Sequence, residues 1–493
     1  MRAARCLPDG DFVGTGVGEA VGVAVGAGEG VGVGVGDAVA ELPFTGGETA
    51  LGPPPMTEHA PSSTAAATIP DPSMKRSSRT DLPAATFGGR RLAPPLRTTG
   101  AMRIAIRTGM LYDGTDAPPR SNVTLVVDDG RIAEIAGNAE RAAADRTYEA
   151  ASVVPGLINS HVHLEVNGEP DTQTFFLIRT PTERTLDAAR HARLALEAGV
   201  TTVRDLGGSE SNAIALRDAV ARGEHPGPTI VPAGRAICMT GGHGFFLGRE
   251  ADGPWDARKA VREQLKAGAS CIKLIATGGV LTKGAVPGQD QLSEEEMRAA
   301  IVEAATHGMR VAAHAIGTNG IKNALRAGVT SIEHGHLLDD EAIELFKSRD
   351  AYLVPTLAAV WRIYENIAGG AQPEYVVRKA TEIYQHAGEN IRKAYRAGVK
   401  IAGGSDAGTP YNRHEDYAYE VELMSTVLGM SPQQALTAAT SIAAQLIGVD
   451  AGVLAVGRPA DLLLLAGDAG SDVRALREPR VVVKGGAIAH ERP

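Results

Sequence analysis

The sequence predicts an α/β fold: a (β/α)8 barrel over residues 156–451, with a small β-sandwich accessory domain made from both ends of the ordered chain, residues 102–155 and 452–493. Three observations predict it. Eight short apolar runs alternate with stretches of helical periodicity, the arithmetic of a closed parallel barrel. Several helical stretches end in AGV or HGM just before the next run, which suits a glycine C-cap and a short helix-to-strand loop. No GxGxxG follows the first run, which weighs against the rival, a doubly wound open sheet.

Residues 1–101 are of another kind. Valine and glycine alternate through 13–40, broken by Glu19, Glu29 and Asp37, and residues 52–100 turn rich in Pro, Ser, Thr and Arg. Glycine at every second position offers nothing to pack, and the later stretch has the composition of a chain that cannot bury enough to order itself. The acids and glycines also interrupt the apolar run that a signal peptide needs. The expectation is a low-complexity extension, disordered or an artefact of gene calling, with Met102 as the physiological start. From Met102 come RIAIRTGMLY, NVTLVVDDGRIAEI and RTYEAASVVPG, short alternating strands with DDG and TDA as turns. ADLLLLAG and RVVVKGGAIAH repeat the pattern at the other end, so the two ends are expected to pair.

The barrel runs are GLINSHVHL (156–164), TTVRDLGG (201–208), TIVPAGRAI (229–237), CIKLIATGG (271–279), RVAAHAIG (310–317), TSIEHGHLL (330–338), AYLVPTLA (351–358) and KIAGGSDAG (400–408). The net charge of −9, from 58 acidic and 49 basic residues, argues against a nucleic-acid binder held by phosphate contacts. Three well-separated cysteines argue against a disulfide framework and for a reducing cytoplasm. No apolar run of membrane-spanning length stands free of charge or frequent glycine. The expected partners are a small-molecule substrate and further copies of the chain as a homo-oligomer.

In such a barrel, reactive groups sit at the C-terminal ends of the strands. The first run ends in His161-Val162-His163, and alternation puts both imidazoles on one face, where they can reach one metal ion. In the fourth, Ile272 and Leu274 face the helices and Lys273 faces the lumen, where an ammonium is costly unless paired or chemically changed. The fifth run offers His314, the sixth His334 and His336, and the eighth Asp406. Each has an ordinary reading alone: a surface or core histidine pair, a salt-bridged lysine, an aspartate capping a helix. Gathered at the ends of five strands, they point to a metal site. His243, in MTGGHGF, is an exposed loop histidine or a substrate contact, and Arg204-Asp205 an ion pair or part of the site. Tyr411, Arg413 and His414 share the loop after Asp406; an arginine there suits a substrate carboxylate, against a solvated loop. Cys271, Trp255 and Trp361 read as packing residues.

PGLINSHVHL, the lysine in IKLIATGG, VAAHAIG, SIEHGHLL, GGSDAG and the closing SIAAQLIGVDAGVLAVGRPADLLLL resemble the motifs of the amidohydrolase superfamily of metal-dependent hydrolases. The resemblance covers roughly residues 102–493. Its lysine-bearing fourth strand and motif order are similar to the branch of prolidase-like dipeptidases and ochratoxin-hydrolysing amidases. It implies two divalent ions, zinc by preference: His161, His163 and Asp406 on one, His314 and His334 on the other, and Lys273, N-carboxylated, bridging both. It places the ligand of the sixth strand at His334, directly after the glutamate, rather than at His336. It departs at Asn159, where many members carry aspartate; an amide can still hydrogen-bond behind a ligand. The carbamate is chemically sound, because a buried lysine loses its proton easily and the neutral amine adds carbon dioxide. The implied reaction is attack by a metal-bridging hydroxide on the amide of a dipeptide or N-acyl amino acid, with Asp406 as base and then acid. His243, Tyr411 and Arg413 are the candidate substrate contacts. Two other readings are a ring hydrolase of cyclic amides or imidazolones, and a catalytically inactive barrel that binds a partner.

Overall fold

The computed structural model describes residues 102–137 and 143–492; the expectations for residues 1–101 fall outside the described residues. The eight barrel strands are Leu157–Val162, Val200–Asp205, Thr229–Pro232, Ile272–Ile275, Val311–Ala315, Ser331–His334, Tyr352–Val354 and Lys400–Ile401, each inside one of the eight runs except that the second begins one residue before its run. Their ladders are parallel. The strands are short and buried almost throughout, as strands walled by helices require.

Two departures from a regular ring matter for the site. The third run is split: Thr229–Pro232 pairs with the second strand, and after a bend Ala236–Cys238 pairs with the fourth through Ile237 and Leu274. The ring closes through backbone bonds beyond the two-residue eighth strand. Ser160 N–H donates to Gly403 O (3.0 Å), Asp406 N–H to His161 O (2.8 Å) and His163 N–H to Ala407 O (3.0 Å). A Cβ on Gly404 would stand 3.0 Å from the His161 backbone nitrogen and 2.5 Å from Val354 Cγ1. Glycine therefore lets this segment run close enough to bring Asp406 beside His161.

The helices begin and end where local chemistry allows. Thr180 with Glu183, and Ser293 with Glu296, form capping boxes on Pro181–Glu197 and Glu294–Ala305. Gly328, in an AGV, closes Thr318–Ala327 in the left-handed conformation. Trp361 is buried and packs on Tyr384, with ring centroids 4.7 Å apart. Trp255 corrects the packing expectation: it sits at the start of Pro254–Ala267, 79% exposed, with only the Arg258 guanidinium over its ring. Among the described residues no helix is long and apolar enough to cross a membrane.

The chain ends build one seven-stranded mixed sheet, in the order Ala487–Glu491, Val481–Lys484, Leu462–Leu465, Arg146–Pro155, Ile104–Leu111, Arg120–Asp128, Arg131–Gly137. Arg146–Pro155 joins the two ends, parallel to Ile104–Leu111 and antiparallel to Leu462–Leu465. Four strand spacings, about 19 Å in a flat sheet, separate Val481–Lys484 from Arg120–Asp128. Yet the turns at their ends touch, since a Cβ on Gly486 would meet Gly130 Cα at 2.4 Å. The sheet is rolled over on itself. Alternate residues of its inner face, among them Ile104, Ile106, Leu125, Val127, Leu462 and Leu464, close into one apolar core. The two layers of the expected sandwich are thus halves of a single sheet.

Candidate functional site

His161 Nε2 and His163 Nε2 each lie 3.3 Å from Asp406 Oδ1. One ligand atom from each of these three residues lies within 4.8 Å of the others. Asp406 has a left-handed backbone (φ +59°), a conformation found where surrounding structure imposes it, and Asn412 Nδ2 donates to its carbonyl at 3.0 Å. Asp406 Oδ1 is buried without a well-formed hydrogen bond. The far nitrogens of both imidazoles are engaged: His163 Nδ1 meets Gly207 O at 2.9 Å and His161 Nδ1 meets Glu333 Oε2 at 3.0 Å. Gly207 O can only accept, so His163 Nδ1 carries a proton, whereas His161 Nδ1 and Glu333 Oε2 lie close without a well-formed hydrogen bond. Two imidazole nitrogens and a buried carboxylate oxygen gathered this closely are the atom types that hold a divalent cation.

Lys273 is buried, its Nζ 3.4 Å from His161 Nε2, and burial pulls it down to about 8, so the neutral amine is accessible near neutral pH. The imidazoles form a continuous series. Ring centroids of His161 and His334 are 5.2 Å apart, those of His334 and His314 4.5 Å, and those of His314 and His243 4.5 Å. His314 Nε2 meets Gly278 O (3.2 Å), which leaves Nδ1; His334 Nδ1 meets Thr356 Oγ1 (2.7 Å), which leaves Nε2. Burial pushes His161, His314 and His334 well below the usual histidine range, reinforced by Lys273, His243 and His314 respectively, so all three are neutral donors at pH 7. His163 moves up, because the Asp406 carboxylate outweighs its burial. Asp406, against its own burial, is held below the usual carboxylate range by His161 and His163. His314 and His334 line the same cavity as Lys273, outside the group of three that could hold a cation.

The remaining sequence candidates separate. His243 lines the same cavity, with Nδ1 2.9 Å from Thr282 Oγ1, and burial drives it down to about 3. His336 lies in the turn after the sixth strand, where it is buried, lines the cavity, and meets Pro355 O through Nε2 at 3.0 Å. Tyr411 and Arg413 are not brought to this cavity. They line a separate depression with Arg190, Arg362 and His414, because His414 is anchored to Val166 O and stacked on His191, which turns the loop outward. Arg204 and Asp205 do not pair with each other: alternation sends Arg204 into the lumen, while Asp205 accepts from Leu164 N–H (2.8 Å). Asn159 uses both ends of its amide, donating to Ser405 Oγ (2.8 Å) and accepting from Ser405 N–H (3.0 Å), and so ties the first strand to the eighth. Cys271 is a buried member of an apolar cluster.

Sequence reasoning missed Glu333. It is completely buried, with Oε1 2.9 Å from Arg204 Nη2 and 2.5 Å from Ser331 Oγ, and Oε2 at His161 Nδ1. Alternation along Ser331–His334 offered the signal, since Ile332 packs outward and Glu333 must then face the lumen. His334 ought by the same rule to face the helices. It reaches the mouth because its backbone turns left-handed (φ +74°) at the strand end, so two consecutive side chains serve one site.

The model of the Amidohydrolase family matches residues 152–488. Ochratoxinase of Aspergillus niger is 30% identical over 428 residues, covering 78% of this chain and 86% of its own. A Xaa-Pro dipeptidase solved with methionine in its active site superposes with a TM-score of 0.73 at 33% identity, over 78% of this chain and 99% of the other. A prolidase complexed with N-methylphosphonate-L-proline gives 0.71 at 29% identity, over 78% and 99%. The chain belongs to the amidohydrolase family, hydrolases that act on carbon–nitrogen bonds.

Proposed function

We propose that this chain hydrolyses the amide bond of a dipeptide or N-acyl amino acid in a metal-dependent reaction. One observation carries the reading: imidazole nitrogens and a carboxylate oxygen without a well-formed hydrogen bond converge beside a buried lysine at the mouth of the barrel. His161, His163 and Asp406 would hold one divalent ion, and His314 and His334 a second, with zinc suited to the nitrogen and oxygen donors. Lys273 would bridge them as its carbamate: the neutral Nζ adds carbon dioxide, an N–C bond forms and one proton leaves. When bound, the ions lower the pKa of a water and polarise the substrate carbonyl.

The chain's own groups do the rest. Asp406 accepts a proton from the attacking water and returns it to the leaving nitrogen. A C–O bond forms, the C–N bond breaks, and the products are a carboxylic acid and an amine. Glu333 Oε2 stands 3.0 Å from His161 Nδ1 and Thr356 at His334 Nδ1, an arrangement that would leave Nε2 of each ring to the site. The full chain, supplied with zinc and bicarbonate, is expected to bind two ions and turn over members of a dipeptide and N-acyl amino acid panel. Lys273→Ala is expected to lose metal and activity together; full turnover with two bound ions in that variant would refute the bridge. Bound zinc without hydrolysis of any amide would favour a partner-binding barrel instead.

A further inference from the structure

The cavity above the histidine cluster, about 850 Å3 including space open to solvent, has a polar floor and apolar walls. Phe246 and Leu247 come from the segment after the third strand, Val280 and Leu281 from the loop after the fourth, and Val360 and Ile363 from Leu357–Glu365 after the seventh. The charged side chains that line it are Lys273 and Asp406, both in the floor. Cations close by are committed elsewhere. Lys379 directs its ammonium at the backbone of the wall, donating to Thr282 O (2.8 Å) and Gly279 O (3.3 Å). Arg204 lies buried with Glu333, and Arg362 faces Asp416 and Glu365 from the other side of its helix. Lys283, on the loop that supplies Val280 and Leu281, is exposed and does not line the cavity.

A free carboxylate entering this space would leave its hydration shell and meet hydrocarbon, with no guanidinium or ammonium among the described wall residues to replace the lost water. A neutral aromatic or branched aliphatic group would instead bury its surface against those walls. Resting on the amide-hydrolase reading above, we propose that the preferred substrates are neutral amides, whose apolar portion fills this cavity and which carry no free carboxylate beside the scissile bond. Dipeptides and N-acyl amino acids are then turned over as poorer relatives of their uncharged counterparts.

A matched pair tests this on the zinc-loaded full chain: N-benzoyl-phenethylamine and N-benzoyl-L-phenylalanine share the acyl group, the scissile bond and the aromatic ring, and differ in the carboxylate. The neutral amide is expected to show at least a tenfold higher kcat/KM, with the difference in KM, and Lys283→Ala is expected to leave that ratio unchanged. Equal or faster hydrolysis of the acid overturns the inference while upholding amide hydrolysis. Hydrolysis of neither compound, nor of any amide in the wider panel, by the two-metal enzyme overturns both.

Discussion

The rolled sheet at the chain ends and the floor of the barrel mouth both exclude water, and they are built from opposite materials. Ile104, Ile106, Val127, Leu462 and Val483 fill the sheet's interior with hydrocarbon, so burial there is favourable at every position. His161, Lys273, His314, Glu333 and His334 are just as buried at the mouth, and burial there shifts titration: the histidines and the lysine are pushed toward their neutral forms. In the first region burial contributes stability. In the second it keeps nitrogen groups uncharged and fixed in place.

Substitutions should therefore divide by region. Asp406→Asn is expected to produce the largest effect, a fall in kcat of about a thousandfold, since under the proposed mechanism it removes both a ligand and a proton acceptor. The melting temperature of the metal-free protein should stay close to that of the parent; a large drop would show that the floor also carries stability. Glu333→Gln sharpens the comparison, because Glu333 supports a ligand and also pairs a buried arginine. Zinc affinity is expected to fall about 10–100-fold, and unfolding free energy by about 3–5 kcal/mol as Arg204 loses its partner. Isothermal titration and denaturant melts would read the two effects separately.

Leu462→Ala in the sheet is expected to cost about 2–5 kcal/mol in a denaturant melt while leaving kcat/KM per folded molecule unchanged. A loss of activity at full folding would tie the two regions together. The smallest effect is chemical silence. Burial pushes the Cys238 and Cys271 thiols up to about 12. An acid whose folded pKa is raised keeps its proton when the unfolded chain has lost it, so at pH 8 the native protein presents almost no thiolate, and raising the pH above about 8.5 favours unfolding. Peptide mapping after iodoacetamide at pH 8 should find both residues unmodified in the native protein and alkylated after denaturation.

Much of the barrel was legible because parallel strands walled by helices must be apolar on both faces, and eight such runs stand out between capped helices. His161, His163, His314 and Asp406 stand out as polar residues closing apolar runs, and Lys273 as a cation between Ile272 and Leu274. The split third strand was missed although Pro232 and Gly234, the latter at φ +71°, mark the bend. So was the role of Glu333, whose partner Arg204 lies 129 residues away in the chain.

The order of polar and apolar residues was enough to commit this chain to a barrel, and to list the side chains that end its strands, because periodicity and burial are local consequences of composition. Which of those side chains meet was settled by folding. A left-handed turn at His334 recruits a second consecutive residue, and the close approach at Gly404 carries Asp406 to His161. The anchoring of His414 turns Tyr411 and Arg413 away, while helices and loops distant in the chain wall the cavity with hydrocarbon. Convergence in space depends on backbone angles and on contacts between remote segments, and no window of the sequence contains either.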